Sequence, residues 1–327
     1  MKKNIAIVVG GDSGEYEVSI KSGQQLFNQI DKDRYSPVLV HIKGIDWKAT
    51  FDGTEVQVDK NDFTVSLEGK KIKFDCALIG IHGTPGEDGR LQSYFEMMKV
   101  PYTTCGVLSS SLTFNKYACK QYLIPYGIFT AKSMLFHKND RINAAEVAQT
   151  LGLPCFIKPN NGGSSCGVSK ISKTEEIGPA IEKALEHDAE IIVEEFIKGT
   201  EITCGVMKTK DSSLVFPIAE IVSKKDFFDY EAKYTDGMAD EIIPARIPEK
   251  IRQDCEKTSS LIYDKLFCRG IVRIDYIVRD DKLYFLEVNT VPGQSEASIV
   301  PRMIKAAELT MTGVLTDLIE NAIFNFS

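Results

Sequence analysis

Two segments near the C-terminus constrain the fold more than any other part of the chain. In Gly270-Ile271-Val272-Arg273-Ile274-Asp275-Tyr276-Ile277-Val278, and again in Leu283-Tyr284-Phe285-Leu286-Glu287-Val288-Asn289, the side chains alternate with period two. As neighbouring strands, they turn Val272, Ile274, Tyr276 and Val278 to a core and Arg273 and Asp275 to the opposite face. Glu287 and Asn289 share a face in the same way. An odd number of residues in the intervening turn sets Asp275 opposite Glu287 and Arg273 opposite Asn289. Two opposed carboxylates repel, and a hard divalent cation between them removes the repulsion. Asp, Glu and Asn oxygens suit Mg²⁺ or Mn²⁺, ions usually shared with substrate phosphates. The plainer reading is a solvated strand face carrying an Arg–carboxylate pair.

The rest of the chain reads as two architectures in sequence. Residues 4–9 are a short β-branched run ended by Gly10-Gly11, consistent with a buried parallel strand. Ser13 suits an N-cap for a helix over 18–29. Further strands at 36–42 and 76–81 predict an open parallel sheet with helices on its faces. Residues 44–73 alternate weakly and suit hairpins or short strands. From about residue 109 the pattern becomes mixed α+β. It predicts helices over 113–123, 142–151, 174–186 and 249–266, and strands at 155–158, 168–171, 190–196, 201–209 and 214–222. A long charged loop spans 223–243, and a helical region ends the chain.

Composition narrows the function. The 327 residues are 43% hydrophobic and 26% charged, ordinary for a globular protein, and this excludes disordered, collagenous and membrane-spanning chains. Net charge is −7 and the pI about 5.3, so no global basic field invites nucleic acid. Eight cysteines form no C-x-x-C pair and only four histidines accompany them, which points to free thiols in a reducing cytoplasm rather than zinc or disulfides. The apolar run after Lys2-Lys3 is too short for a signal peptide.

Three further segments suggest a ligand. The loop Gly162 to Gly167, entered through Lys158-Pro159, offers successive backbone N–H groups to an anion, although a flexible hairpin turn accounts for it equally. The Walker pattern and G-x-G-x-x-G are both absent. Ile192-Val193-Glu194-Glu195-Phe196-Ile197 with Glu201 suits an adenine edge and a ribose; the ordinary alternative is a strand end with surface acids. Gly80-Ile81-His82-Gly83-Thr84-Pro85-Gly86-Glu87-Asp88-Gly89 follows a buried strand, where open α/β sheets bind ligands, and His82 suits either a polar contact or a structural role.

Taken in order, these segments resemble one family. Gly10-Gly11-Asp12-Ser13-Gly14-Glu15-Tyr16-Glu17-Val18-Ser19, the His82 to Gly89 loop, Lys158-Pro159 with Gly163-Ser164-Ser165-Cys166-Gly167, Tyr230-Glu231-Ala232-Lys233-Tyr234, Arg273-Ile274-Asp275, Glu287-Val288-Asn289-Thr290-Val291-Pro292-Gly293 and Ser298-Ile299-Val300-Pro301 look like D-alanine–D-alanine ligases over nearly the whole chain. The resemblance implies an α/β and α+β fold. An N-terminal open parallel-sheet domain (1–104) would precede a two-subdomain ATP-grasp fold, central (105–198) and C-terminal (199–327). It implies ATP-driven joining of two D-alanines through an acyl phosphate, for peptidoglycan precursors, with ATP and two Mg²⁺ or Mn²⁺ ions.

Roles carry over residue by residue. Asp275, Glu287 and Asn289 match the metal ligands. Lys116, Lys158 and Lys233 match the phosphate-side lysines, with Ser165 in the loop beside them. Glu194, Glu195, Ile197 and Glu201 match the adenine and ribose contacts. Glu15 matches the acid that pairs with the first D-alanine's ammonium, near His82. Arg273 and the Gly293 N–H match the oxyanion hole; Ser298 and Ile299 match the pocket for the second carboxylate. Ser164, Tyr234 and Glu15 imply a polar network that closes the 223–243 loop as a lid over a water-sensitive intermediate. The resemblance also implies a cytoplasmic homodimer with no nucleic-acid or membrane partner. Gln294, Asn115 and Thr104-Cys105 depart from the common pattern. The nearest alternative is a D-alanine–D-lactate ligase, against which Tyr234 matches the dipeptide-forming branch. A regulatory ATP-binding module without catalysis is a third reading, opposed by the intact Arg273, Asp275, Glu287 and Asn289.

Overall fold

Both faces of the first strand are buried, and this sets how the N-terminal third is built. The computed structural model describes residues 2–163, 166–223 and 239–326. β1 (Lys3–Gly10) runs parallel to β2 (Tyr35–Lys43) on one side and β7 (Cys76–Ile79) on the other. Ile5, Ile7 and Val9 share a core with Leu26 of α1 (Tyr16–Gln29) and with Leu315 and Ile319 of the C-terminal helix Met311–Phe326. Ala6 and Val8 pack with Leu91 and Phe95 of α2 (Arg90–Met98) on the opposite face. A strand covered on both faces must be apolar at every position, as Ile5 to Val9 are. Gly10 and Gly11 end it at φ +101° and +94°, and a Cβ on Gly10 would lie 2.4 Å from the Ile42 carbonyl oxygen. Only glycine allows that turn.

Residues 44–73 are an antiparallel meander. It comprises β3 (Asp46–Phe51), β4 (Thr54–Asp59), β5 (Thr64–Leu67) and β6 (Lys70–Lys73), and it continues the sheet from β2 in the order β6-β5-β4-β3-β2-β1-β7. The sheet is therefore parallel around β1 and antiparallel beyond β2.

The central sheet is antiparallel, in the order β11-β10-β12-β9. Its strands are β9 (Ser133–His137), β10 (Cys155–Pro159), β11 (Ser169–Ile171) and β12 (Glu190–Glu195). Cys155, Ile157, Ile191 and Val193 face a core completed by Val147, Ile177, Ala180 and Ala184. Alternation turns Phe156, Lys158 and Glu194 to the other face. The third sheet runs β16-β15-β13-β17-β18-β8, with β14 on β13. It is built from β8 (Phe129–Thr130), β13 (Thr200–Lys208), β14 (Ser213–Val215), β15 (Ala219–Ser223), β16 (Ala239–Ile242), β17 (Gly270–Arg279) and β18 (Lys282–Asn289). Val272, Ile274 and Tyr276 pack on Ile251, Cys255, Ile262 and Tyr263 of the helix Glu249–Lys265, which leaves Arg273 and Asp275 on the face toward the central sheet.

Three local expectations need correction. The helix expected over 113–123 is two, α3 (Val107–Phe114) and α4 (Lys116–Leu123). Asn115 between them is extended (φ −85°, ψ 101°), and its side chain caps α4 by accepting from the Ala118 N–H at 2.9 Å. Ser13 caps no helix: Glu15 occupies the N-cap position of α1, and the Ser13 hydroxyl donates to the His82 carbonyl at 2.7 Å while accepting from the Glu15 N–H at 3.2 Å. The single strand expected over 214–222 is β14 and β15, separated by a stretch containing Pro217, which has no N–H to give a ladder. All eight cysteines are free thiols, seven of them buried. Among the described residues no helix is long and apolar enough to cross a membrane.

Candidate functional site

Between the central and third sheets lies a cleft of about 1090 Å³, reached at one end by the Asp12–Glu15 turn of the first sheet. It brings together Glu15, Lys116, Lys158, Glu194, Glu195, Ile197, Glu201, Asp275 and Glu287.

The acidic wall is set by register. Asp275 pairs opposite Glu287 and Arg273 opposite Asn289. The turn between the strands, Asp280-Asp281, is even-numbered, with both residues at positive φ. Simple alternation from it would set Leu286 against Asp275. Instead the register shifts between Asp275 and Tyr276, leaving Leu286 as the extra residue of a β-bulge. The bulge both aligns the two acids and sends Leu286 into the cleft beside Glu287.

Asp275 is densely bonded. Arg273 donates to both its oxygens, from Nε at 3.0 Å and Nη2 at 2.8 Å; Asn289 Nδ2 donates at 3.1 Å and the Thr203 hydroxyl at 2.5 Å. Burial works against the Arg273 charge, but Asp275 outweighs it and raises the guanidinium's pKa.

The basic wall comes from α4 and β10. Lys116 opens α4, where the break at Asn115 aims it across the cleft. Its Nζ donates to the Gly162 carbonyl at 2.5 Å and lies 3.5 Å from Glu287 Oε2. The buried Asn160 fixes this helix start, its carbonyl and side-chain oxygens accepting from the Lys116 and Tyr117 N–H groups at 3.0 and 2.9 Å. Lys158 Nζ lies 2.5 Å from Glu194 Oε2, and the fully buried Lys120 pairs with Glu194 Oε1. Burial would raise the Glu194 pKa, but the two lysines hold it down to about 2. Glu195 accepts from the Lys132 N–H at 2.7 Å.

At the far end, Ser22 of α1 and His82 and Glu87 of the loop after β7 grip the segment after β18. His82 bonds the Val291 carbonyl through Nδ1 (2.7 Å) and the Ser22 hydroxyl through Nε2 (3.1 Å). Donation from Nδ1–H to the carbonyl leaves Nε2 to accept from Ser22, whose oxygen accepts from the Gln294 N–H at 3.2 Å. Glu87 accepts from the Val291 N–H at 3.0 Å and the Gly83 N–H at 2.8 Å. Burial, then the charge of Glu15, raise its pKa to about 7. Gly293 sits against Ser298: a Cβ there would meet the Ser298 hydroxyl at 2.7 Å. Ser298 stands at the N-terminus of the helix Ile299–Ala306. The Glu15 carboxylate rests against two glycines, since a Cβ on Gly163 would lie 2.9 Å from it and one on Gly83 3.6 Å.

Ser164, Ser165, Lys233 and Tyr234 lie outside the described residues, as do residues 224–238 of the expected loop; its end, β16, pairs with β15. Sequence reasoning missed Lys120, Thr203, Ser22, Leu286 and Glu87. The sequence around Glu87 carried a signal in its glycine-rich loop; the other four carried none.

The donor chemistry suits a hard dication. Two carboxylates and an amide oxygen stand in register, and among the described residues no three His, Cys, Asp or Glu side chains converge into a ready-made cage. Phosphate oxygens and water would fill the remaining positions, the usual arrangement for Mg²⁺.

A mixed sheet followed by two sheets enclosing lysines and opposed acids defines an ATP-dependent ligase of the ATP-grasp fold. The families described as D-ala D-ala ligase N-terminus and C-terminus match residues 4–105 and 122–320. The chain belongs to the D-alanine–D-alanine ligase family. The D-alanine–D-alanine ligase of Phocaeicola vulgatus is 50% identical over 323 residues, 98% of this chain and 99% of that protein. Among solved structures, the VanG D-Ala:D-Ser ligase from Enterococcus faecalis is similar in full (100% of both chains, TM-score 0.86, 31% identity). The Bacillus anthracis D-alanine–D-alanine ligase complexed with ATP covers 99% of this chain and 98% of that one, with TM-score 0.80 and 29% identity.

Proposed function

We propose that this cleft joins two D-alanines at the expense of ATP, through an acyl phosphate, to supply peptidoglycan precursors. The observation that carries the reading is the Asp275–Glu287 opposition facing Lys116 and Lys158 across one cleft. A carboxylate oxygen of the first D-alanine attacks the γ-phosphorus and ADP leaves. The amine of the second attacks the acyl carbon, loses a proton, and phosphate departs with one of the original carboxylate oxygens. Anions meet in the first step, so cations must surround them. Lys116 and Lys158 neutralise phosphate charge. Asp275, Glu287 and Asn289 would hold Mg²⁺ or Mn²⁺, which would supply further neutralisation of phosphate charge. Glu194, Glu195, Ile197 and Glu201 hold the nucleoside end.

Glu15 holds the first ammonium, and its contact with Gly83 and Gly163 supports that placement. Arg273 and the Gly293 N–H receive the developing oxyanion. Ser298 and Ile299 hold the second carboxylate. His82, with both ring nitrogens engaged by protein groups, acts by positioning Val291 to Gln294. Domains at 1–104, 105–198 and 199–327 and a cytoplasmic homodimer complete the reading. The dipeptide-forming name of the Phocaeicola vulgatus relative does not favour the D-lactate alternative. ADP release measured side by side with D-alanine, L-alanine and D-lactate tests the whole. D-alanine alone should support rapid turnover with dipeptide as product. A dominant D-alanine–D-lactate product at neutral pH, or no ADP with D-alanine, refutes it.

A further inference from the structure

We propose that Lys120 is a positioning residue for nucleotide binding, which keeps Glu194 paired when Lys158 turns from that carboxylate to the nucleotide's phosphates. The proposal rests on the phosphate-side reading of Lys158. Lys120 lies one turn beyond Lys116 on α4, so both ammonium groups leave the same face of the helix. Yet of Lys116, Lys120 and Lys158, Lys116 and Lys158 line the cleft, while Lys120 is fully buried behind it. Glu194, itself 4% exposed, receives both lysines, one on each oxygen.

A buried carboxylate is tolerated only while it is paired. With Lys158 as its sole partner, Glu194 would be stranded each time Lys158 reached for phosphate, and the two would stay locked together. With Lys120 as a permanent second partner, Lys158 can leave and the carboxylate remains neutralised. Two ammonium groups on one carboxylate also leave the cluster one positive charge in excess, which an anion entering the cleft offsets. Lys158 is the mobile member by position: its side chain is 16% exposed against 1% for Lys120.

The test is calorimetric binding of ATP and of adenosine to the wild-type protein and to Lys120→Met, Lys120→Arg, Glu194→Gln, Lys158→Met and the Lys120→Met/Glu194→Gln double variant, with KM for D-alanine as a control. Lys120→Met should weaken ATP at least about tenfold, because a lone Lys158 stays on the buried carboxylate. Adenosine binding and the D-alanine KM should hardly move, and Lys120→Arg should bind ATP nearly as wild type does. In the Glu194→Gln background the buried carboxylate that Lys120 shares with Lys158 is gone, so adding Lys120→Met should change ATP affinity little. That comparison holds even if the single methionine variant fails to fold. Equal weakening of ATP and adenosine, no weakening at all, or an undiminished loss in the Glu194→Gln background overturns the proposal. Unchanged ATP affinity in Lys158→Met would instead refute the phosphate-side role of Lys158, a separate failure.

Discussion

Glu287 and Asp275 do different work although they face each other. Asp275 already accepts four hydrogen bonds, two of them from Arg273, whereas Glu287 meets Lys116 at 3.5 Å. Glu287 stands opposite Asp275 and lines the cleft with Lys116, and Glu287→Gln should cut turnover by at least about a hundredfold and raise the Mg²⁺ concentration for half-maximal rate. Steady-state ADP release across a Mg²⁺ titration checks this, and near-normal turnover would contradict the metal assignment.

Glu87 makes a pH prediction. Its carboxylate accepts from the Gly83 N–H on one oxygen and the Val291 N–H on the other, and its pKa is raised to about 7. As pH falls through about 7 the group protonates, the bond to the protonated oxygen weakens, and turnover should fall with it. Because the folded-state pKa is raised, the folded chain is the tighter proton binder. This group's contribution to stability is thus fully present below its ordinary carboxylate range and is lost as pH rises through about 7. Activity and the Glu87 share of stability move in opposite directions over that window. A kcat–pH profile should lose its acidic limb in Glu87→Gln, at a lower plateau; an unchanged limb would assign it to another group. Burial is what sequence reading could not supply here. Glu87 and Lys120 are charged letters that read as solvent-facing until the fold encloses their charged ends.

At the scale of elements, two interruptions of regular structure make the site. The bulge at Leu286 converts an even-numbered turn into the register that opposes the acids, and the break at Asn115 turns one helix into two so that Lys116 starts the second. The alternation of 270–278 and 283–289, and so the face carrying the acids, was legible from period two alone. Neither interruption was. A bulge leaves no mark in a run that remains apolar and β-prone, and Asn115 sits inside a pattern that still has helical spacing. Asn115→Ala removes the cap on α4 and the 3.2 Å bond to Glu190. It should lower stability by about 1 kcal/mol and raise the KM for ATP through Lys116, with the D-alanine KM little changed. Thermal unfolding and steady-state kinetics test the two parts separately; a stable variant with normal ATP KM would mean that the break does not aim the lysine.

For the molecule as a whole, ordered motifs carried the fold class, since each matched segment falls on a loop or strand end around one cleft. What they could not carry is how the chain closes on itself. The C-terminal helix packs Leu315 and Ile319 against Ile5 and Ile7 of β1, and Glu320 accepts from Lys3 and Tyr35. An apolar helix face in a sequence does not name its partner, so the return of the last element to the first sheet was not foreseen. That return seats the third sheet beside the N-terminal loops and lets His82, Glu87 and Ser22 hold the segment bearing Gly293. The account therefore requires that carboxylate activation and peptide formation happen in one enclosed place. The most direct measurement is the fate of label from D-alanine carrying ¹⁸O in its carboxylate, turned over with ATP and Mg²⁺, with mass analysis of the released phosphate. One labelled oxygen should pass into inorganic phosphate for each dipeptide made; dipeptide accompanied by unlabelled phosphate would contradict the account.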